Sequence, residues 1–99
     1  MVLIFGGTTE GRAAVRTLDE AGSSYYYSTR GKTQQLECKH GTRINGEMDR
    51  KSIQDFCISH DIRLIVDAAH PFAENLHANI ALISEELEIP VIRFERRYP

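Results

Sequence analysis

No apolar run in the 99 residues is long enough to span a bilayer, and no run of lysine and arginine is long enough to mark a nucleic-acid footprint; the pair Arg96-Arg97 is too short to count. The 12 Lys and Arg against 14 Asp and Glu leave a formal charge of −2 with both signs scattered along the chain, so neither nucleic acid nor a membrane is an expected partner. The opening Met1-Val2-Leu3-Ile4 lacks the charged lead of a signal peptide and breaks into glycine after Phe5, and the expected location is cytoplasmic. Cysteine is scarce, and Cys38 and Cys57 lie too far apart for a C-x-x-C pair, so reduced structural thiols are expected. Cys38-Lys39-His40 offers half a metal site without a second half, and no metal is expected. Also missing is a Tyr-x-x-x-Lys pair, whose phenol and amine one helical turn apart would serve short-chain dehydrogenase chemistry. Acids at the end of the first strand, which a phospho-acceptor domain needs, are replaced by glycines.

What is present is concentrated at the start. Val2-Leu3-Ile4-Phe5 runs straight into Gly6-Gly7-Thr8-Thr9-Glu10-Gly11-Arg12 and then into an alanine-rich helical pattern, which reads as a buried strand, a tight turn and a helix start. The first N–H groups of a helix have no intrahelical partner and carry the positive end of the macrodipole, so an anion such as a pyrophosphate gains hydrogen bonds and a favourable field there. Counted from Gly6 against G-x-G-x-x-G, the first and third glycines match, Thr8 stands in place of the second, and Gly7 falls one place early. Thr8 and Thr9 can offer hydroxyls to phosphate oxygens and Arg12 a positive charge; Glu10 acts against them. A merely structural strand-to-helix turn is the plain alternative.

The first helix is expected from about Thr9 to Ala21, with Ala14, Val15, Leu18 and Ala21 facing a sheet and Gly22 as the stop. Tyr25-Tyr26-Tyr27 follows as a short strand. In dinucleotide-binding folds a carboxylate stands roughly 20 residues past the glycine turn and bonds the ribose of NAD. Here that place reads Ser28-Thr29-Arg30-Gly31-Lys32-Thr33, hydroxyls and cations without an acid, which favours the 2′-phosphate of NADP; the alternative is a solvated polar loop. Thr42 to Gly46 is a weak third strand near an edge, and Gly46 falls where such folds place a side wall of the adenine pocket. A helix from about Asp49 to His60 carries Ile53, Phe56 and Cys57 at helical spacing with Asp49 as N-cap. Leu64-Ile65-Val66 reads as a central strand. Pro71 suits the first turn of the next helix, whose core stripe is Phe72, Leu76, Ile80, Ile83 and Leu87. Pro90 to Phe94 is a last strand.

Strands alternating with helices imply an α/β, Rossmann-like, three-layer αβα domain with a parallel sheet of order 3-2-1-4-5, and ligands of such sheets sit at the carboxyl ends of the strands by the switch point. That gathers the Gly6 turn, the Ser28 segment, the Gly46 segment and the Asp67-Ala68-Ala69-His70-Pro71-Phe72 segment around one crevice. Asp67 reads either as a carboxylate capping nearby backbone N–H groups or as part of the site. His70 reads as a turn residue or as an imidazole near the nicotinamide end of a dinucleotide, able to hydrogen-bond or shuttle a proton. His40, His60 and His77 are expected on the surface.

Four segments together resemble the precorrin-6A reductase family, NADPH-dependent enzymes of the corrin-ring pathway to cobalamin: the Gly6 to Arg12 start, Ser28 to Thr33, Asp67-Ala68-Ala69-His70-Pro71-Phe72-Ala73, and Arg93-Phe94-Glu95-Arg96. The family patterns are G-G-T-x-E-A-R, S-x-A-G-R-T, D-A-T-H-P-F-A and L-E-R-P, from which this chain departs with Gly11 for the alanine, Ala69 for the threonine and Arg97 for the proline. The resemblance implies hydride transfer from NADPH to a double bond of a precorrin-6A-type tetrapyrrole, a second α/β domain after the E-R-P segment, and hence the N-terminal half of a two-domain enzyme. Ala69 lacks the hydroxyl that the family threonine would bring to cofactor or substrate. Within that reading Gly6, Gly7, Thr8, Thr9 and Arg12 surround the pyrophosphate, Ser28, Thr29, Arg30 and Lys32 the 2′-phosphate, Gly46 and Ala68 line the cleft, and His70 stands near the reacting atoms. A non-catalytic module that senses NADP for a partner is the alternative from a different class.

Overall fold

The two continuous apolar runs, β1 (Val2–Phe5) and β4 (Leu64–Asp67), lie side by side at the centre of the sheet. In the computed structural model, which describes residues 1–31 and 36–95, β2 (Tyr25–Thr29) and β3 (Gly41–Asn45) extend the sheet on one side and β5 (Val91–Arg93) on the other. All pairings are parallel and the order is β3-β2-β1-β4-β5, the arrangement the sequence predicts. Strand residues alternate between faces. Leu3, Phe5 and Ile65 therefore pack with Ile53 and Cys57 of α2 (Arg50–Ser59) and Ile80 and Ile83 of α3 (Glu74–Leu87), while Ile4, Tyr25, Tyr27 and Val66 pack with Val15 of α1 (Thr9–Ala21). The result is three layers, with two helices on one face and one on the other.

Local chemistry sets the helix ends. Thr8 caps α1, its side chain accepting from the Gly11 N–H, and Gly22, at φ 69°, ends it with its own N–H and that of Ser23 returning to Asp19 and Leu18 carbonyls. Asp49 caps α2 by accepting from the Ser52 N–H at 2.8 Å. Three expectations need correction. Ala21 is exposed, so α1 buries Val15 with Ala14 and Leu18 half-covered. Pro71 is not in a helix: the Ala73 N–H returns to the His70 carbonyl at 2.9 Å, closing a separate turn, and α3 starts only at Glu74. Phe72 consequently leaves the core stripe and is 85 % exposed, while Leu76, Ile80, Ile83 and Leu87 keep to it. Cys38 and Cys57 are both free thiols, and burial pushes Cys57 up to about 11, which keeps it a neutral core side chain. Among the described residues no helix is long and apolar enough to cross a membrane and no group of side chains could hold a metal ion.

Asp19, near the end of α1, ties that helix to the sheet edge. Its carboxylate accepts from the Tyr25 hydroxyl at 2.8 Å and from the His40 and Lys39 N–H groups at 3.0 and 3.3 Å. Desolvation works to raise its pKa, but the His40 amide, the Tyr25 hydroxyl and the Lys39 amide together hold it below the usual carboxylate value. A folded pKa below the unfolded one means stability fully present above the unfolded carboxylate range and lost as pH falls through the folded value. Asp19→Asn should therefore lower the thermal midpoint at neutral pH, and the gap from wild type should narrow progressively as the pH is taken below the usual carboxylate range, read by circular dichroism melts across an acid pH series.

Candidate functional site

The carboxyl ends of the strands enclose one open crevice of about 1060 Å³. Its walls include Gly6, Gly7 and Thr8 from the first turn, Ser28, Thr29 and Arg30 from the end of β2, Gly46 and Glu47 after β3, and His70 and Phe72 after β4. Four loops distant in sequence thus converge as the sheet order requires. Among the described residues, Thr9 and Arg12, both exposed on α1, and Ala68, buried beneath the turn, stand outside these walls, and Lys32 lies outside the described residues.

The glycine turn is built on Tyr27. A Cβ on Gly6 would sit 2.4 Å from the Tyr27 ring, and one on Gly11 would sit 2.8 Å from its hydroxyl and 2.9 Å from the Gly6 Cα. Gly7, at φ 90°, has nothing within 4 Å of its absent side chain and leaves the backbone open to the crevice. Its N–H donates to the Tyr27 hydroxyl at 2.9 Å, and the Gly6 N–H continues the sheet to the Ser28 carbonyl. Burial pushes the Tyr27 phenol up, against the Gly7 amide and Arg43, which hold it down. The Thr8 hydroxyl, expected to offer itself to a phosphate, instead donates to the Ala68 carbonyl at 2.5 Å and accepts from the Gly11 N–H at 3.0 Å. Several of the turn's amides are therefore taken up internally, and the anion-attracting feature narrows to the positive end of α1, where Thr9 holds the first position and its N–H has no intrahelical acceptor.

At the end of β2 the hydroxyls are likewise occupied. Ser28 donates to the Met48 sulfur at 3.7 Å, and Thr29 donates to the Gly31 carbonyl at 2.6 Å with Asn45 Oδ1 at 3.3 Å. Both residues are buried along the wall of the crevice, with their hydroxyls on these partners. Arg30 remains as the outward group: its guanidinium stands 3.6 Å from Glu47, with the side chains 84 % and 72 % exposed. An ion pair so open to water is weak and exchangeable. Gly46 donates its N–H to the Thr29 carbonyl at 2.9 Å and needs glycine for its φ of 113°.

On the opposite wall His70 is exposed, its Nδ1 accepting from the Phe72 N–H at 3.2 Å and its ring centroid 5.1 Å from that of Phe72. The acceptor role of Nδ1 leaves Nε2 as the protonated nitrogen of the neutral ring. Asp67 does cap a backbone group, the Ala69 N–H at 3.3 Å, but its other oxygen meets a residue expected on the surface. His77 Nδ1 lies 2.5 Å from Asp67 Oδ2, the two side chains being 11 % and 3 % exposed, and His77 Nε2 lies 2.9 Å from the His70 carbonyl oxygen. The clue lay in the spacing: from a helix starting after the turn, the residue in its first turn comes back over the strand end. His40 and His60 are exposed as expected, His60 stacking on Phe56 at 3.9 Å.

Comparison with known proteins agrees with this geometry. The profile of the family described as precorrin-6x reductase CbiJ/CobK matches residues 1–98. Cobalt-precorrin-6A reductase of Priestia megaterium is 31 % identical over 98 residues, covering 97 % of this chain and 38 % of that protein. Its counterpart from Synechocystis is 33 % identical over 102 residues, with 96 % and 38 % covered, so the chain spans about two fifths of the length of these relatives. A solved structure of CobK precorrin-6A reductase superposes with a TM-score of 0.86 at 26 % identity, over 97 % of this chain and 39 % of that one. The Bordetella bronchiseptica enzyme WbmG, solved with NAD and UDP, shares the fold at a TM-score of 0.74 and 15 % identity. The departure at Gly11 from the family alanine now has a cause, since Tyr27 fills the space of that methyl. Gly11→Ala should cost about 1–3 kcal/mol in urea unfolding, and Tyr27→Phe in the same chain should recover part of it, giving a double-mutant coupling of about 0.5 kcal/mol or more. With its profile match running nearly end to end and its fold and strand-end crevice in agreement, the chain belongs to the precorrin-6x reductase CbiJ/CobK family.

Proposed function

We propose that this chain is the cofactor-binding part of a reductase acting on a precorrin-6A-type tetrapyrrole, with NADPH in the strand-end crevice and a second α/β domain of the longer protein completing the site. The crevice fits such a ligand in three respects: an open glycine backbone at Gly7, the positive end of α1 beside it, and an outward guanidinium at the end of β2. In this reading Gly7 lets a diphosphate approach the first turn of α1, while Thr8 holds that turn against β4. Arg30 exchanges the Glu47 carboxylate for the 2′-phosphate, a charge-assisted and bidentate contact. Bound NADPH supplies a hydride for a double bond of the macrocycle. His70 presents Nε2 on the wall where a proton is to be held or passed, and the exposed Phe72 ring offers a flat apolar ledge to a planar ring.

The observation that carries the reading is the placement of Arg30 on the crevice where NAD-type folds carry an acid. In calorimetric titrations of the chain, NADPH should bind about 10- to 100-fold more tightly than NADH, the worth of one charge-assisted contact. Arg30→Ala should remove most of that preference while moving NADH affinity little. Equal affinities in the wild type would overturn the cofactor assignment. The chain alone should not reduce precorrin-6A, and binding of NADPH without any tetrapyrrole affinity in the full-length protein would favour the sensing module instead.

A further inference from the structure

The segment between Asp67 and His70 leaves the sheet and forms the wall that carries His70, and both of its ends are held by one ring outside it. His77, in the first turn of α3, meets the Asp67 carboxylate with Nδ1 at 2.5 Å and the His70 carbonyl with Nε2 at 2.9 Å. A carboxylate and a carbonyl are both acceptors, so each contact needs a hydrogen on the ring nitrogen, and neutral imidazole carries only one. The doubly protonated ring satisfies both. Its charge faces the buried carboxylate of Asp67, which in turn is steadied by the Ala69 N–H. The positive end of α3 opposes a cation in its first turn, and the contact with Asp67 offsets that.

We propose that His77, as an imidazolium, is a positioning residue that sets where the His70 turn stands against the glycine turn, and that loss of its second proton releases the His70 end. The geometry supports a role beyond filling space. The His70 carbonyl already accepts from the Ala73 N–H, so the ring adds a second donor that joins the turn to the strand end. Thr8 reaches the same segment from the other side through the Ala68 carbonyl. Among the described residues, the charged and titratable groups around the ring are Asp67 in contact with it, His70 with its Nδ1 on the Phe72 amide, and Glu74 one turn back along α3. From the neighbouring elements come Arg93 of β5, in register with Asp67 and ion-paired with Glu95 at 2.9 Å, and Arg50 of α2, held by Glu86 towards the far end of α3.

The test begins on the wild-type chain without ligand. Nitrogen-resolved NMR of the imidazoles at about pH 6 should show both His77 ring nitrogens protonated, and raising the pH to about 8.5 should leave the proton on Nδ1 alone while the Ala68, Ala69 and Ala73 amide signals shift with the same midpoint. His77→Gln keeps a donor and should abolish that shared titration. A singly protonated His77 at pH 6, or amides that titrate in His77→Gln as in wild type, would overturn the assignment. A second arm rests on the proposed cofactor: the NADPH dissociation constant should rise about tenfold from pH 6 to 8.5 in wild type relative to His77→Gln, the worth of one hydrogen bond. Measurable binding with no such difference would refute the coupling of the turn to the cofactor. Complete absence of NADPH binding would remove the cofactor reading and leave the role of His77 to be decided by the first arm.

Discussion

One threonine hydroxyl ties the glycine turn to the carboxyl edge of this sheet. Thr8 uses its hydrogen on the Ala68 carbonyl and a lone pair on the Gly11 N–H, so the same oxygen caps α1 and links the β1 turn to the end of β4. Those are the two paired strands on either side of the switch point, where their connections leave in opposite directions, and the hydroxyl carries their link past the last backbone bond, from the Ala68 N–H to the Phe5 carbonyl at 2.8 Å. Tyr27 supports the arrangement from β2 by filling the space under Gly6 and Gly11 and accepting from Gly7. Bulk at positions 6 or 11 would push the turn off that ring, which is why glycines stand there and not because the backbone angles demand them.

Much of the architecture was legible because it follows from period and run length. Continuous apolar residues in Val2–Phe5 and Leu64–Val66 mark central parallel strands, weak apolar content marks β3 as an edge, and the glycine turn marks strand one as the switch. The convergence of four loops followed from strand order alone. What the sequence concealed is how polar side chains share a limited set of partners. Thr8, Ser28 and Thr29 read as phosphate donors when considered one at a time; in the fold their hydroxyls meet nearby carbonyls, an amide and a sulfur that no residue-by-residue reading reveals. Phe72 matched the helical period by coincidence, because a turn closed through His70 delays the start of α3. His77 was obscured for the complementary reason: a histidine on a helix has no visible partner until the strand that supplies Asp67 is laid beside it.

Electrostatics around the crevice concentrates recognition in few groups. Glu47 and Glu74 stand on its walls as carboxylates, and so does Asp49, whose pKa the Ser52 amide holds below the usual value. Among the described residues Arg30 is the cation that lines the same space. The phosphate-bearing ligand proposed above would therefore enter a region whose side chains oppose it on balance, and what favours it would come from oriented backbone at the start of α1 and from Arg30. The backbone contribution is set in advance, since Thr8 and Tyr27 fix the turn and little reorganisation is needed when charge arrives. The Arg30 contribution is adjustable, because its exposed pairing with Glu47 is weak enough to be exchanged. On the reading proposed above, affinity for the part of a dinucleotide common to all of them would reside in the fold, and discrimination by an added phosphate in one side chain at the end of β2.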